Sequence, residues 1–412
     1  MRKATTLISF FTAFLFVVQQ TNAQDNVREY LLLGVEIAEE LTSAYAEPAA
    51  VGLMYGMTGG WYNSAIVRDK WQVELSVVTN GSFVPSDAQT FFIDTNQYEE
   101  LTTLSGEARV EVPTILGGNA TPATLVANVQ GEIFQFETPR GLGISDLNLL
   151  PNAFLQAKVG LPFATEIGVR VFPKINVDDV KLGLYGIGLQ HEFSRWIEFI
   201  DQSPVALSVF GAFTTLDADY VFATGGDVLG ENQRITIDMD SWLFEMVAST
   251  RFEKLNFFAG FGYVTGQSDT RLRGTYEVQT RTPVTFTDPF DFQNEVSGAR
   301  ANLGANLRLG WFGLNAAYTF QGDNNLSVGM NFYIREVAQP GMARHSSEPG
   351  STEDDIKGKF LPVPPGEVHP HVYPQESGNF IPEARTQVPG PVTRSELPKV
   401  RKGIPDTCKP EH

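Results

Sequence analysis

The stretch SGARANLGANLRLGWFGLNAAYTFQG, residues 297–322, alternates apolar and polar side chains through its first half. Ala and Leu occupy every second position, and Arg300, Asn302, Asn306 and Arg308 lie among the residues between them. An alternation of period two indicates a β-strand with two different faces. In a soluble sheet the Ala/Leu face would cover a core, whereas in a membrane barrel it would meet lipid and the polar face would line the lumen.

The N-terminus predicts export. Arg2 and Lys3 precede an apolar run over residues 7–18, and Thr21-Asn22-Ala23 offers a small residue before a cleavage point. A basic N-terminal region, a short apolar segment and a small residue before the cleavage site are typical of a secretory signal peptide. We predict one over residues 1–23. The apolar run is too short for a transmembrane helix.

Charge and cysteine content narrow the function classes. Residues 24–337 contain 19 basic and 38 acidic residues, a net charge of −19. Such a body repels nucleic acid, so we expect no nucleic-acid partner. Cys408 is the single cysteine of the sequence. The exported fold must therefore be held by its core or by a closed sheet rather than by an intrachain disulfide.

Long strands dominate the chain from Trp71 onward. Most run to nine residues or more, the length of a tilted membrane-spanning strand rather than of a typical soluble one. The sequence predicts twelve strands, at 71–80, 105–113, 124–137, 153–161, 165–173, 179–192, 204–215, 241–252, 255–268, 298–309, 313–321 and 325–336.

The predicted connectors alternate in length, which favours an outer-membrane barrel with short inner turns and long outer loops. The turns 162–164 and 310–312 are tight, whereas 81–104, 216–240 and 269–297 are long. Tryptophans fall at predicted strand ends, as interfacial aromatic girdles require: Trp71, Trp196, Trp242 and Trp311.

Four regions follow from these patterns. After the signal peptide, residues 24–65 combine a helix, predicted from Asn26 to about Tyr45 and ended by Glu47-Pro48, with the glycine-rich GLMYGMTGGWYNSA. We interpret 24–65 as a plug or a periplasmic cap. Residues 66–337 are the predicted β-barrel. The proline-rich residues 338–412 lack a periodic apolar pattern and are predicted to be a disordered periplasmic tail.

Strand parity assigns charged side chains to the lumen. They can be interpreted as a salt-bridge ladder that stiffens a narrow barrel or as a constriction that selects solutes, and the ladder is favoured because confined charges usually pair. The lumen-facing candidates are Glu107, Arg109, Glu111, Lys158, Arg170, Lys181, Glu245, Arg251, Arg300, Arg308 and Arg335.

The sequence contains few residues spaced as a catalytic site or a metal site requires. His191 is the one histidine of the body, and its spacing to Ser194 or Ser208 does not indicate a nucleophile–base pair. His369 and His371 lie in the tail, and two ligands on a flexible segment do not make a metal site. The sequence therefore predicts no enzyme, no cofactor and no metal.

Two segments resemble a known family. AEPAAVGLMYGMTGGWYNSA (46–65) and LYGIGLQHEFSRWIEF (184–199) resemble an uncharacterised family of exported Gram-negative barrel proteins, a domain of unknown function. The resemblance implies a fold and a location but no activity. More distantly, the helix and proline-containing plug are similar to the long-chain fatty-acid transporter class. In that class an N-terminal hatch plugs a barrel of fourteen strands. Its characteristic Asn-Pro-Ala is replaced in this sequence by Glu47-Pro48-Ala49.

The sequence thus predicts an all-β fold, a transmembrane antiparallel up-and-down β-barrel of twelve to fourteen strands with an N-terminal helix or plug segment. A hairpin within 81–104, around QTFFID, would raise the count to fourteen. The expected location is the outer membrane of a Gram-negative bacterium, with lipid and lipopolysaccharide as partners. The expected function is passive passage or binding of small solutes, hydrophobic ones among them. The alternatives are a non-transporting structural or surface-interaction barrel and a soluble periplasmic β-sandwich.

Overall fold

The computed structural model of the protein describes residues 29–141, 149–177, 179–222 and 229–334. The predicted signal peptide, the predicted tail and Arg335 lie outside the described residues. None of the described helices is long and apolar enough to cross a bilayer.

Within the described residues, ten strands close into one antiparallel barrel, which runs in the order β1 (Val73–Phe83), β17 (Asn325–Ile334), β16 (Phe312–Phe320), β15 (Asp291–Leu309), β12 (Leu255–Arg273), β11 (Arg234–Thr250), β10 (Val205–Val221), β9 (Val180–His191), β8 (Thr165–Val177) and β7 (Leu149–Leu161). The barrel closes where β1 pairs with both β17 and β7. These ten strands are the wall strands.

The predicted fold class, an all-β antiparallel barrel, is confirmed, but the barrel has ten strands rather than twelve to fourteen. The predicted strands 105–113 and 124–137, and the hairpin around QTFFID, form small separate sheets. Tight turns such as Gln130-Gly131, both with positive φ, cut these segments into strands of three to six residues. The small sheets pair β2 (Thr90–Asp94) with β4 (Arg109–Pro113), β5 (Thr124–Val129) with β3 (Leu101–Thr103) and β6 (Glu132–Glu137), and β13 (Thr275–Val278) with β14 (Val284–Thr287).

The two ends of the barrel differ. We call the end where β1 begins and β17 ends the terminal end; it also carries the connections 162–164, 251–254 and 310–311. The opposite end, the loop end, carries the small sheets. There a second apolar core forms, because the loop ends of β12 and β15 supply Leu272 and Phe292 and the long connections supply the buried side chains Ile93, Leu101, Val112, Leu125, Phe136 and Tyr276.

The outer face of the wall is apolar. Leu303 in the Ala/Leu face of β15 is 59% exposed, whereas its neighbour Arg300 on the other face is 3% exposed. A soluble core would show the reverse, so the structure is a barrel with an inverted pattern rather than a sandwich. Every wall strand contributes an exposed apolar side chain to this belt: Leu75, Leu155, Val169, Ile187, Val209, Phe244, Phe257, Leu303, Leu314 and Met330.

Four strands extend past the belt toward the loop end. Strands β10, β11, β12 and β15 have 17 to 19 residues, more than the roughly nine to eleven that a tilted span needs. Trp242 stands where the apolar face of β11 begins, and its ring lies 4.7 Å from that of Phe213 on β10. Beyond it the same outer face carries Asp238 on β11 and Asp217 on β10, which are paired in register.

Candidate functional site: the filled lumen

A segment of the chain fills the barrel. Helix α1 (Val35–Met57) begins at the loop end, where the backbone N–H of Ile115 donates to Tyr45 O, and enters the lumen. Residues 58–70, which we call the strap, continue to the terminal end, where Trp71 N–H donates to Gly160 O at 2.8 Å. Residues 35–70 together are the plug.

Helix α1 runs through Pro48, so the predicted end at Glu47-Pro48 is wrong. Proline removes one N–H and disfavours helix before it, but it does not prevent a helix whose surroundings stabilise it. Here the barrel wall supplies that stabilisation. The Ser82 hydroxyl donates to Gly52 O at 2.8 Å, and the Asn80 amide donates to Gly56 O at 3.1 Å.

Glycines let the helix lie close to this polar part of the wall. A Cβ on Gly56 would stand 2.0 Å from Asn152 Nδ2, and one on Gly59 would stand 2.7 Å from Asn325 Oδ1. The glycine-rich sequence therefore allows close packing of the plug against the seam between β1 and its two neighbours.

Arg170 caps the C-terminal end of α1. Its guanidinium donates to Met57 O and Gly59 O, each at 2.9 Å, and to Gln156 Oε1. Its flat faces lie over the rings of Trp61, at 4.1 Å, and Phe154, at 4.4 Å. A fixed cation at the negative end of a helix dipole is favourable, and arginine satisfies several carbonyls at once.

A second cluster lies between the strap and strands β11 and β15. Arg300 Nε lies 3.0 Å from Glu245 Oε1, and Arg300 Nη1 donates to Thr58 Oγ1 at 2.7 Å. The Tyr62 hydroxyl donates to Glu245 Oε2 at 2.9 Å. The wall carboxylate is therefore neutralised by a wall arginine, and both are tied to the strap.

The third cluster lies toward the terminal end. Arg68 of the strap forms ion pairs with Glu74 and Glu166, and Lys158 Nζ lies 3.6 Å and 3.8 Å from the same two carboxylates. Two cations and two anions meet in a buried space. The strap cation Arg68 was not among the predicted residues, because the strap has no period that marks a side chain as inward-facing.

The predicted lumen residues thus fall into three groups. Lys158, Arg170, Glu245 and Arg300 lie inside the barrel; the last three contact the plug, and Lys158 lies beside the two carboxylates that pair with Arg68 of the plug. Arg251 and Arg308 line a cavity at the terminal end. The remaining four described candidates lie elsewhere: Glu107 precedes β4, Arg109 and Glu111 lie in β4, and Lys181 lies at the loop end of β9.

These four residues lie outside the lumen for two physical reasons. Glu107, Arg109 and Glu111 belong to a segment that leaves the wall, and the Arg109 guanidinium lies 4.1 Å from the centre of the Phe92 ring at the surface. Lys181 has the parity of the exposed Ile187 and pairs in register with Asp219, past the belt. There both faces of a strand meet water, so polarity no longer identifies the lumen side.

One titratable group outside the wall strands packs against the plug. Asp323, in the turn between β16 and β17, is 7% exposed, and its Oδ2 would lie 3.4 Å from a Cβ on Gly52. Burial raises the pKa of Asp323 to about 6, and the negative charge of Asp87 acts in the same direction.

The arrangement closes the barrel. In a water-filled channel the lumen side chains would be exposed, but Glu74 is fully buried and Lys158 is 4% exposed. His191 hydrogen-bonds Thr165 and its ring lies edge-on to Trp196, whereas the hydroxyl of Ser194 donates to Glu192 and that of Ser208 accepts from Gln190. Among the described residues, no group of three histidine, cysteine or acidic side chains is placed to hold a metal.

Several solved structures resemble the chain remotely. The translocator domain of the autotransporter NalP from Neisseria meningitidis is 10% identical over 72% of this chain and 98% of that one, with a TM-score of 0.26. Ail, the attachment invasion locus protein of Yersinia pestis, is 8% identical over 65% of this chain and 100% of its own, with a TM-score of 0.24. A FadL homologue of Pseudomonas aeruginosa is 12% identical over 71% of this chain and 96% of that one, with a TM-score of 0.20. No curated protein matches the sequence.

The family resemblance expected from residues 46–65 and 184–199 is confirmed. Residues 1–334 match a family described as a family of unknown function (DUF6588), so the match includes the plug and all ten wall strands. The chain belongs to this family.

Proposed function

We propose that the protein is an outer-membrane barrel that its own N-terminal segment holds closed, so that it does not act as an open passage for solutes. The observation that carries this proposal is the plug itself, which forms hydrogen bonds or ion pairs with the wall from Gly52 to Arg68. Of the functions considered from the sequence, the non-transporting structural or surface-interaction barrel fits this geometry better than passive passage does.

The membrane location is part of the proposal. A belt of exposed apolar side chains surrounds the wall, and such a surface is costly in water but favourable in lipid. Trp196 and Trp311 are exposed at the terminal end of the belt, and Trp242 stands near its other edge. Aromatic side chains at both edges are typical of membrane–water interfaces.

Electrostatics argues against an aqueous path in this state. A charged constriction that selects ions needs groups that face water, because a passing ion must find uncompensated charge. Here Glu245 is neutralised by Arg300, and Glu74 by Arg68. Arg170 is occupied by the carbonyls of α1. Passage would require all three clusters to break together.

Single-channel conductance in planar lipid bilayers tests the proposal. The intact protein should be electrically silent, and a variant that lacks residues 24–65 should conduct, because deletion of most of the plug leaves a water-accessible lumen. Heat-modifiable mobility on a denaturing gel should show that both proteins are folded barrels. Steady conductance by the intact protein at the level of the deletion variant would contradict the proposal.

A further inference from the structure

Strand β15 has an edge that no described strand covers. Its residues 291–307 pair with β12 on one side, whereas on the other side only residues 301–309 pair with β16, because β16 ends at Phe320. The part of β15 nearest the loop end is therefore paired on one side alone. We call residues 291–297, on the side where β16 is absent, the free edge.

The direction of each backbone group at the free edge follows from the two ends of the β12–β15 ladder. The Leu272 N–H donates to Phe290 O at 3.0 Å, and the Arg308 N–H donates to Lys254 O at 2.7 Å. Residues of an antiparallel strand bond alternately to its two sides, so the even-numbered residues of β15 bond to β12 and the odd-numbered ones bond away from it. The backbone groups directed outward from the free edge belong to Asp291, Gln293, Glu295 and Ser297. Among the described residues none of these N–H and C=O groups has a hydrogen-bond partner.

The free edge lies past the apolar belt. Ser297 pairs in register with Thr265, and Thr265 pairs with Trp242, which stands where the apolar face of β11 begins. Residues 291–296 therefore lie further toward the loop end than Trp242 does. Unpaired backbone groups are costly in lipid, but past the belt they can meet water or another chain.

The outer face beside the free edge is negatively charged. Asp291 and Glu295 are exposed, and Asp269 on β12 pairs in register with Gln293, whose amide donates to Asp269 Oδ1 at 2.7 Å. Among the described residues none of these three carboxylates forms an ion pair. Arg271 pairs in register with Asp291, but its guanidinium donates instead to a carboxylate of β11 at 2.7 Å. The charge beside the edge is thus left for a cation from another chain.

This charge discriminates between the strands that could pair with the edge. A second copy of the protein would place its own carboxylates opposite these, and like charges directly opposite each other destabilise a strand pair. Charged side chains at sheet edges protect proteins from such self-pairing. A segment with lysine or arginine at every second residue meets the carboxylates with opposite charge, and its backbone satisfies the free N–H and C=O groups.

We propose that the free edge is a docking site for a basic, extended segment of another protein, which adds to the sheet as an antiparallel strand. Residues directly opposite each other in such a pair share a face, so the basic side chains lie on the outer face beside Asp291 and Glu295. The proposal goes beyond closure of the lumen and does not depend on it, because the plug lies on the other face of the wall.

Fluorescence anisotropy with the full-length protein in detergent tests the docking site. The probe is the fluorescein-labelled peptide Lys-Val-Lys-Val-Lys-Val-Lys, and the same peptide with glutamate in place of lysine is its control. The lysine peptide should bind, and the glutamate peptide should bind at least about tenfold more weakly. Methylation of the backbone nitrogens of the inner lysines should weaken binding at least about tenfold, because those N–H groups face β15. Methylation of the valine nitrogens, which face away from β15, should leave the affinity within about threefold.

Two variants at Gln293 show whether the peptide binds at the free edge. Gln293→Pro removes the N–H that is directed away from β12, and proline is tolerated on the outward side of an edge strand. It should weaken binding of the lysine peptide at least about tenfold in a barrel that is still heat-modifiable. Gln293→Ala is the matched control, since it also removes the amide side chain but keeps the N–H, and it should bind the peptide as the native protein does.

Absence of lysine-peptide binding at protein concentrations up to about 100 μM would overturn the proposal. So would equal binding of the lysine and glutamate peptides, equal effects of the two methylations, or equal affinities of the Gln293→Pro and Gln293→Ala variants. Light scattering tests the rival occupant. A dimer of the native protein that Gln293→Pro converts to a monomer would assign the edge to a second copy and would also overturn the proposal.

Discussion

At the scale of single residues, Asp323 links pH to the fit of the plug. Its carboxyl group is buried against Gly52 of α1, and burial raises its pKa to about 6. The folded pKa lies above the unfolded one, so the folded state holds this proton more tightly. The contribution of protonated Asp323 to the free energy of unfolding is therefore fully present below about pH 4 and is lost as the pH rises toward about 6.

We expect Asp323→Asn to remove that component, which is on the order of 2 kcal/mol. The measurement is the temperature at which the folded band converts to the unfolded band on a denaturing gel, taken at pH 4.5 and pH 7.5. The difference between the two temperatures should be smaller in Asp323→Asn than in the native protein. Asp291→Asn, at an exposed aspartate of β15, should leave the difference unchanged, and an equal change in both variants would exclude the role of Asp323.

Single residues also show where sequence reasoning stops. Alternation placed Arg300 and Lys158 inside the barrel, because their strands are apolar on the opposite face over the belt. It placed Lys181 on the wrong side, because that residue lies past the belt, where the outer face is as polar as the inner one. Arg68 could not be predicted at all, since it lies on an irregular strap whose path only the surrounding wall defines.

At the scale of elements, the contact between α1 and the wall depends on glycine. Gly56→Ala should displace the helix, because the added Cβ would stand 2.0 Å from Asn152. Overpacking of this kind typically costs about 1–3 kcal/mol, more than the roughly 1 kcal/mol that alanine adds to helix propensity. We expect a lower conversion temperature and intermittent conductance in planar bilayers.

The matched control for that prediction is Gly298→Ala in β15. A Cβ at Gly298 would meet no atom within 4 Å, so the barrel should be unchanged and electrically silent. If Gly56→Ala and Gly298→Ala have the same conversion temperature, then the helix does not rely on close approach at Gly56.

The sequence predicts wall strands better than it predicts the plug. Ten of its twelve strands lie in the wall, because belt and lumen impose a long and regular alternation on them. The other two have β-propensity but bury their apolar residues in a separate core with Tyr30 and Leu31. The helix through Pro48 was missed because hydrogen bonds from Asn80 and Ser82, close in space but distant in the chain, stabilise it.

At the scale of the whole molecule, the belt determines where the protein resides. Leu303→Arg places a charge in the middle of the lipid-facing surface, and arginine at the bilayer midplane of a barrel costs about 2–4 kcal/mol. We expect Leu303→Arg to reduce the amount of heat-modifiable protein in outer-membrane fractions. The same substitution at Gln293, on the same face of β15 but past the belt, should be tolerated. Equal losses in both variants would mean that this face of the barrel is not in lipid.

The whole-molecule architecture was the most predictable part. A predicted signal peptide, long alternating strands and unequal connectors together favour an exported barrel, since each reflects a constraint of export or of the bilayer. The state of the lumen was not predictable in the same way. Whether a polar face meets water or a buried segment depends on where residues 35–70 go, and their sequence is compatible with a cap as well as with a plug.

The path of the plug decides at which end of the barrel each end of the described chain lies. An up-and-down barrel with an even number of strands has both of its ends on one side, yet here the chain first passes through the lumen from the loop end to the terminal end. Ten wall strands and one lumen passage make an odd number of crossings. Tyr30 packs in the core at the loop end, and Ile334 ends β17 at the terminal end. The two residues therefore lie at opposite ends of the barrel. One continuous polypeptide thus crosses the length of the barrel an odd number of times, and its described ends lie at opposite mouths.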